Sequence, residues 1–147
     1  MKETIHGIEE MYARAADFMR TLRPGAVATT IGLAGDLGAG KTRFVEGCAR
    51  TFGITDPITS PTFVIEKIYS LKNQPFTHLI HIDAYRLQNA HELRILGFDE
   101  MLRNPGNIIF IEWPERVSKE LPKNMHIITF SFVDEKTRKI SFSSMVP

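Results

Sequence analysis

Apolar residues in the first part of the chain follow a helical period and then a strand-like run. The helical positions, which Pro24-Gly25 terminates, are Ile8, Met11, Ala15, Phe18, Met19 and Leu22. Residues 27–33 are mostly apolar and β-branched, which is typical of a buried strand, and a second helix is predicted from about residue 41 to residue 52. These elements predict an amphipathic helix packed on a sheet whose first strand leads into a glycine-rich loop.

The remainder of the chain predicts five more strands and one short helix. We place the strands at residues 63–69, 78–83, 107–112, 126–133 and 139–142, and the helix at residues 89–96. Polar turns at 72–75 and 134–137 predict two hairpins, the second of which closes the edge of the sheet. The apolar run 108–111 indicates a central strand near the one that precedes the glycine-rich loop. The expected fold class is α/β, with a mixed, mostly parallel central sheet flanked by helices and antiparallel hairpins at the edge.

The glycine-rich loop is the most informative segment of the chain. Residues 35–42 fit the phosphate-loop pattern G-x-x-x-x-G-K-[ST], between a predicted strand and a predicted helix. Glycines allow the backbone N–H groups of Gly38, Ala39 and Gly40 to converge on a β-phosphate at the N-terminus of the following helix. In this pattern the Lys41 ammonium reaches the β- and γ-phosphates, and the Thr42 hydroxyl ligates Mg²⁺. The competing interpretation, a chance glycine turn, is disfavoured by the strand–loop–helix context.

Size, composition and charge limit the class of protein further. The chain has 147 residues, of which 43% are hydrophobic and 24% charged, so we expect one globular domain over residues 1–147. The sequence shows no signal peptide or membrane-spanning run, and Cys48 is the only cysteine, so we expect a cytoplasmic protein without an intrachain disulfide. A net charge of +1 gives no strong field for binding a nucleic-acid backbone, which disfavours direct, tight RNA or DNA binding by this chain alone.

Two acidic residues at strand ends are candidates to complete a nucleotide site. A P-loop nucleotidase needs a carboxylate at the end of a neighbouring strand to hold Mg²⁺ and to help orient an attacking water. Glu112 follows the run 108–111, and Asp83 ends the strand predicted at 78–83. We favour Glu112 as the metal ligand because its strand has the more buried pattern, although both acids can serve. Trp113, which follows Glu112 directly, should then lie close to the nucleotide pocket.

Other polar residues carry weaker signals. Arg86 can contact phosphate or pair with Asp83, and the sequence does not choose between these roles. Ser60 and Thr62 lie in a proline-bounded loop, where a switch that senses a γ-phosphate can supply a hydroxyl. The histidines form no recognised metal-ligand pattern, and we interpret all five as structural or solvent-exposed: His6, His78, His81, His91 and His126.

Four motifs in order make the chain resemble the TsaE family of small bacterial ATPases. They are residues 35–42, Ser60-Pro61-Thr62-Phe63, His81-Ile82-Asp83-Ala84-Tyr85-Arg86 and Ile111-Glu112-Trp113-Pro114-Glu115. The resemblance implies a single P-loop NTPase domain, Mg²⁺-dependent ATP hydrolysis and a role in making N6-threonylcarbamoyladenosine in tRNAs that read codons starting with A. It also implies partners of the TsaD and TsaB type, which carry the transfer chemistry and hold most of the tRNA.

The resemblance also assigns roles to individual residues. By it, Lys41 holds phosphates, Thr42 and Glu112 coordinate Mg²⁺, Asp83 supports hydrolysis, and Trp113 flanks the nucleotide, with Thr62 in a switch-like loop. Its expected contacts to ATP or ADP come from Gly38, Ala39, Gly40, Lys41, Thr42, Arg43, Trp113 and Glu115. Arg43 departs from the family, which commonly has a second threonine there, so one hydroxyl contact to phosphate is in doubt.

Two other functions remain compatible with the sequence. A nucleotide-gated binding module would use the same loop, with hydrolysis incidental to its interface. A small-molecule kinase would need a lid that contributes arginines, and the candidates Arg86, Arg94 and Arg103 allow only a very small lid. A GTPase is disfavoured because the chain contains no N-K-x-D guanine-reading motif.

Overall fold

The computed structural model describes residues 2–55, 58 and 66–144. The strands are β1 (Lys2–His6), β2 (Thr29–Ala34), β3 (Glu66–Ser70), β4 (His78–Asp83), β5 (Asn107–Glu112), β6 (His126–Asp134) and β7 (Thr137–Ser144). The α-helices are α1 (Gly7–Arg20), α2 (Lys41–Thr51), α3 (Ala90–Ile95) and α4 (Phe98–Arg103), and short 3₁₀ helices span Ala84–Arg86 and Pro114–Glu120. All the described strands belong to one sheet.

The sheet has the strand order β1-β7-β6-β2-β5-β4-β3. Strands β6, β2, β5 and β4 run parallel, while β3, β7 and β1 add antiparallel pairs on the two sides. The expected fold class, a mixed α/β sheet with a mostly parallel centre, is therefore confirmed. The register places Leu33 opposite Glu112, and Glu112 opposite Asp83, so the carboxyl ends of three neighbouring strands meet at one edge.

Side chains alternate across the sheet and build a hydrophobic core on each face. Helices α1 and α2 cover one face, where Phe44, Phe110 and Leu33 are fully buried. Helices α3 and α4 and the second 3₁₀ helix cover the other, around Ile82 and Ile111. Strand β5 is buried along its whole length, as its continuous apolar run predicts for a strand covered on both sides.

Helices α1 and α2 pack closely because Gly47 has no side chain. A Cβ at that position would lie 2.8 Å from the Ala15 Cβ and 3.1 Å from the Tyr12 Cα. The contact therefore joins the backbones of the two helices, with Phe18 and Phe44 alongside at a centroid distance of 5.8 Å. Since α2 begins at Lys41, this packing also fixes the residue that ends the glycine-rich loop.

Three expectations need correction. Strand β1 was not predicted, because of its five side chains only Ile5 is buried and its amphipathic signal is weak. Helix α4 was also missed, since it is only six residues long and follows Gly97 in a left-handed conformation. The β6–β7 hairpin exists but is longer than predicted, and it is not the sheet edge, because β1 pairs with β7.

The remaining predicted elements are confirmed: the strands at 78–83 and 107–112 have the predicted bounds, and the others have shifted ends. The proline-bounded loop and residues 63–65 of one predicted strand lie outside the described residues, apart from Ile58, which is buried against the α1–α2 core. Across residues 2–55, 58 and 66–144, no helix is both long enough and apolar enough to cross a membrane.

Candidate functional site

The glycine-rich loop joins β2 to α2 at the carboxyl edge of the sheet. Gly35, Gly38 and Gly40 all have positive φ angles, of 140°, 77° and 106°. A Cβ on Gly35 would lie 2.4 Å from the carbonyl oxygen of Phe130, so only glycine fits there. The loop tip is exposed, whereas Ala39 is fully buried beneath it. The loop is thus anchored from below and open to solvent above, as a ligand-binding loop requires.

Lys41 is buried at the first turn of α2, and its ammonium points back under the loop. Its Nζ donates a hydrogen bond of 2.6 Å to the Gly35 carbonyl and lies 3.7 Å from the centroid of the Trp113 ring. Burial lowers the pKa of Lys41, and the carboxylates of Glu112 and Glu115 oppose that shift. A poorly solvated ammonium of this kind is stabilised by an incoming anion such as phosphate.

Glu112 brings together groups from three elements. It is 4% exposed, and its Oε2 lies 3.4 Å from the Thr42 hydroxyl of α2 and 2.6 Å from the Nε2 of His81 on β4. Thr42 and Glu112 are thus close together in the structure. From the sequence, their proximity was inferred only because both were expected to bind the same metal. His81 was interpreted as structural or exposed, and its contact with a candidate site residue was missed.

Asp83 lies beside Glu112 on the neighbouring strand. It is 4% exposed, and its Oδ1 accepts the backbone N–H of Tyr85 at 2.9 Å, which caps the following 3₁₀ helix. Burial raises the pKa of Asp83, and the negative charge of Glu112 acts in the same direction. Both acidic candidates therefore share one edge of the sheet with the glycine-rich loop, as the strand-end argument predicts.

Trp113 adopts a conformation that is rare outside glycine. Its φ is 62° and its ψ is 52°, and its N–H donates to the Leu33 carbonyl at 3.2 Å. Such a left-handed residue costs about 1–2 kcal/mol and persists only where its surroundings enforce it. Here the indole ring contacts both the Lys41 ammonium and the Tyr85 ring, whose centroid lies 5.1 Å away. The turn after β5 therefore aims Trp113 into the site.

A cavity of about 220 Å³ opens next to the loop on the side of β1 and β7. Its walls and rim are formed by Ile5, Gly7, Ile8, Met11, Gly40, Arg43, Glu135, Lys136 and Arg138. Arg138 also donates from Nε to the Gly38 carbonyl at 3.0 Å, which ties β7 to the loop. Arg138 was not predicted from the sequence, because this contact links residues far apart in the chain.

The other expected site residues lie close by with different exposure. Arg43 is exposed on α2, and its Nη1 donates to the Glu46 carboxylate at 3.2 Å. Glu115 is exposed in the 3₁₀ helix after Trp113. Arg86 is exposed beside Asp83, while Ser60 and Thr62 fall outside the described residues. The structure therefore gathers the loop, Lys41, Thr42, Asp83, Glu112 and Trp113 at one edge.

The oxygen atoms at this edge suit a hard divalent cation. Thr42 and Glu112 offer a hydroxyl and a carboxylate within 3.4 Å of each other, and such oxygen donors are what Mg²⁺ prefers. The described segments contain no group of three or more His, Cys, Asp and Glu side chains arranged around a common metal position. A cation here would take its remaining ligands from phosphate and water, as Mg²⁺ does at nucleotide sites.

Fold and site together define an α/β protein with a glycine-rich strand–loop–helix at the carboxyl edge of a mostly parallel sheet. The family model described as "Threonylcarbamoyl adenosine biosynthesis protein TsaE" matches residues 5–140. The chain therefore belongs to the TsaE family, and the family resemblance drawn from the four sequence motifs is confirmed.

Individual relatives agree with this assignment. The chain is 37% identical over 123 residues to the tRNA threonylcarbamoyladenosine biosynthesis protein TsaE of Bacillus subtilis, covering 84% of this chain and 72% of that protein. It is 34% identical over 139 residues to the TsaE protein of Rickettsia typhi, covering 94% and 91%. The crystal structure of YdiB from Bacillus subtilis superposes with a TM-score of 0.77 at 29% identity, covering 99% of this chain and 86% of that one.

Proposed function

We propose that this chain is a Mg²⁺-dependent ATPase that supports N6-threonylcarbamoyladenosine modification of tRNA. The observation that carries the proposal is the cluster of Lys41, Thr42 and Glu112 directly below a glycine-rich loop with three positive-φ glycines. That combination supplies an anion cradle, a buried cation and oxygen donors for a metal at one sheet edge. Membership of the TsaE family directs the activity towards tRNA modification.

The residues of the site take distinct roles in ATP hydrolysis. The N–H groups of the loop and the Lys41 ammonium hold the phosphates, and a phosphate oxygen replaces Gly35 as the partner of Lys41. Thr42 and Glu112 hold Mg²⁺, which, when bound, neutralises charge on the phosphate oxygens. Asp83, at the same edge, helps to orient the attacking water.

The cavity beside the loop suits the base of the nucleotide. It adjoins Gly40 and Arg43, the residues on either side of Lys41 and Thr42, so a base seated there is continuous with phosphates held by the loop. Ile5, Ile8 and Met11 provide apolar walls, and Lys136 and Arg138 provide polar groups at the rim. A cavity of about 220 Å³ with this lining accommodates a purine ring more readily than an extended polar substrate.

In this proposal the chain acts on a complex of TsaD- and TsaB-type proteins in the cytoplasm. Those partners carry the transfer chemistry and most of the contact with tRNAs that read codons starting with A. The small net charge of +1 supports assigning most of the tRNA contact to the partners, because tight tRNA binding by this chain alone would require a basic surface.

The first test is ATP hydrolysis by the purified chain, alone and with TsaD and TsaB, at several Mg²⁺ concentrations. We expect turnover that requires Mg²⁺ and rises strongly when both partners are present. The absence of turnover in every mixture, despite tight ATP binding, would overturn the ATPase and favour a nucleotide-gated binding module. Transfer of phosphate to an added small molecule in place of water would favour the kinase.

Two substitutions separate binding from hydrolysis. Lys41→Ala should weaken ATP binding about 10- to 100-fold, because a hydrogen bond to a charged group contributes about 1.5–3 kcal/mol. Glu112→Gln should retain ATP binding in part and lower turnover by about 100-fold or more. Binding is followed by the fluorescence of Trp113, the only tryptophan, whose ring contacts the Lys41 ammonium.

Lys72→Ala is the matched control for the charge of Lys41, since Lys72 is exposed in the turn between β3 and β4. It should bind and hydrolyse ATP as the unchanged chain does. Unchanged ATP affinity in Lys41→Ala would contradict the assignment of the phosphate site. Full assembly and full tRNA modification with Glu112→Gln would contradict a role for hydrolysis and leave the binding module.

A further inference from the structure

His81 makes the shortest contact to the Glu112 carboxylate. Its Nε2 lies 2.6 Å from Glu112 Oε2, and the side chains are 0% and 5% exposed. His81 lies on β4 opposite Phe110 of β5, two residues before Asp83, so strand alternation places it on the face that carries Glu112. No water competes with a hydrogen bond at this depth, so the pair has a fixed geometry.

The direction of this hydrogen bond follows from the chemistry of the two groups. An ionised carboxylate only accepts, so the hydrogen bond runs from an N–H at His81 Nε2 to Glu112 Oε2. Within the described segments, the buried Nδ1 of His81 has no partner. The tautomer with hydrogen on Nε2 leaves Nδ1 as a bare lone pair, which costs less than burying an unpaired N–H donor. The imidazole is therefore a donor aimed at Glu112.

The contacts of Glu112 are unequal on its two oxygens. His81 and Thr42 both meet Oε2, at 2.6 Å and 3.4 Å, and Oε1 accepts no hydrogen bond from the part of the chain that the structure describes. His81 thus holds one oxygen firmly and leaves the other open. The long contact from Thr42 is too weak to set the orientation of the carboxylate.

We propose that His81 is a positioning residue that holds the Glu112 carboxylate in the orientation that meets the Mg²⁺ of a Mg²⁺–nucleotide complex. The inference rests on the proposed function and extends it by one residue. His81 touches neither nucleotide nor metal in this scheme and acts through its hydrogen bond to Glu112. Partners that orient a metal ligand typically change metal affinity or activity about 10- to 100-fold when they are removed.

The test compares His81→Leu, which removes the donor, with His81→Gln, whose side-chain amide can reach the place of Nε2. For each variant the Mg²⁺ concentration that half-saturates the ADP complex is measured by Trp113 fluorescence, and kcat and KM are measured separately. His81→Leu should need about 10- to 100-fold more Mg²⁺ and lose kcat, with ADP binding in the absence of Mg²⁺ unchanged. His81→Gln should recover most of both losses.

His78→Leu is the matched control, because His78 begins the same strand at the end away from the site. It should leave the Mg²⁺ requirement unchanged. Equal Mg²⁺ requirements in His81→Leu and the unchanged chain would overturn the proposal. The proposal would also be overturned if His81→Gln and His81→Leu showed equal losses and both also bound metal-free ADP more weakly and had a lower Tm. Those effects mark a purely structural residue. If the wild-type protein bound no Mg²⁺–ADP and hydrolysed no ATP, that result would instead contradict the proposed function itself.

Discussion

The Lys41 ammonium combines two demands that oppose each other. The fold buries it, which lowers its pKa, yet surrounds it with the negative charges of Glu112 and Asp83. Its direct contacts among the described residues are the Gly35 carbonyl oxygen and the face of Trp113, both weaker partners than an anion. The residue is therefore arranged for a ligand with negative charge, and that ligand should stabilise the fold when it binds.

At Asp83 we expect a substitution to change stability and activity in opposite directions. Burial and the charge of Glu112 raise its pKa, so its ionised form is held at a cost in the free chain. We expect Asp83→Asn to raise the free energy of unfolding without nucleotide by about 0.5–2 kcal/mol, since Asn retains the acceptor for the Tyr85 N–H. The same change should reduce ATP turnover. Urea unfolding and a hydrolysis assay measure the two effects.

The control for this prediction is Asp17→Asn, on the exposed face of α1. It should change the unfolding free energy by no more than about 0.5 kcal/mol and leave turnover unaltered. Loss of stability in Asp83→Asn would show that its ionised form stabilises the free chain, contrary to the argument from burial.

Some site residues were predictable from the sequence, and others were not, for a physical reason. Lys41 and Thr42 follow from a local motif, and Glu112 and Asp83 follow from the ends of apolar strands. His81 and Arg138 have no local signal, because their roles depend on contacts with residues brought near by strand pairing. Alternation along β4 would have placed His81 on the face of Asp83, but not within reach of Glu112.

At the scale of elements, prediction succeeded where a pattern was long and regular. Strand β5 and helices α1 and α2 carry clear apolar periods, and all three were predicted. Strand β1 and helix α4 are short and bury one side chain each, Ile5 and Phe98, so tertiary contacts determine them more than local pattern does. The β6–β7 hairpin was predicted too short because the residues that extend its strands are all polar: Asp134, Thr137, Arg138, Ser143 and Ser144.

The close contact between α1 and α2 predicts that a larger residue at Gly47 destabilises the fold. Gly47→Ala gains about 1 kcal/mol of helix propensity, yet its Cβ would lie 2.8 Å from the Ala15 Cβ, where neither backbone can yield. Overpacking of this kind typically costs about 1–3 kcal/mol. The two terms leave a net loss of about 0–2 kcal/mol, and we expect about 1 kcal/mol in urea unfolding, with weaker ATP binding because α2 begins at Lys41.

Gly25→Ala is the matched control, because a Cβ there would meet no atom of the described residues within 4 Å and its backbone φ is not in the left-handed region. It should be neutral or slightly stabilising, since alanine restricts the unfolded chain. A Gly47→Ala variant as stable as the Gly25→Ala variant would show that the helices separate at little cost.

At the scale of the whole molecule, the class of fold was easier to predict from the sequence than the order of the strands. The period-two and period-3.6 segments predict an α/β sheet, and the position of β5 beside β2 follows from its apolar run. The pairing of β6 with β2 and of β1 with β7 joins segments about 100 residues apart or more, and only the folded chain reveals it. The strand order then determines which side chains reach the site.

Global stability should depend on pH through His126. This residue is half-buried, edge-on to Phe18 at a centroid distance of 5.8 Å, and burial lowers its pKa. The unfolded chain therefore binds this proton at a higher pH than the folded chain, and stability falls as the pH drops below about 6.5. The loss is at most about 1.4 kcal/mol for each unit by which the pKa is lowered, and it is complete below the folded pKa.

Urea unfolding at pH 7 and pH 5.5 measures this dependence. His126→Gln should reduce the difference between the two pH values, whereas His91→Gln, at an exposed position on α3, should preserve it. An unchanged difference in His126→Gln would assign the acid sensitivity to other groups.

The pairing of β1 with β7 affects the order in which parts of the sheet can form during synthesis. Residues 2–6 leave the ribosome long before their partner residues 137–141 are synthesised. Until then β1 has no hydrogen-bonding neighbour in the sheet, and the Ile5 wall of the cavity beside the loop is absent. The parallel centre can assemble earlier, whereas the β1–β7 pair, which closes the longest loop among the described strand pairs, forms only after β7 is synthesised. The cavity beside the loop is therefore completed only after β7 has been synthesised and has paired with β1.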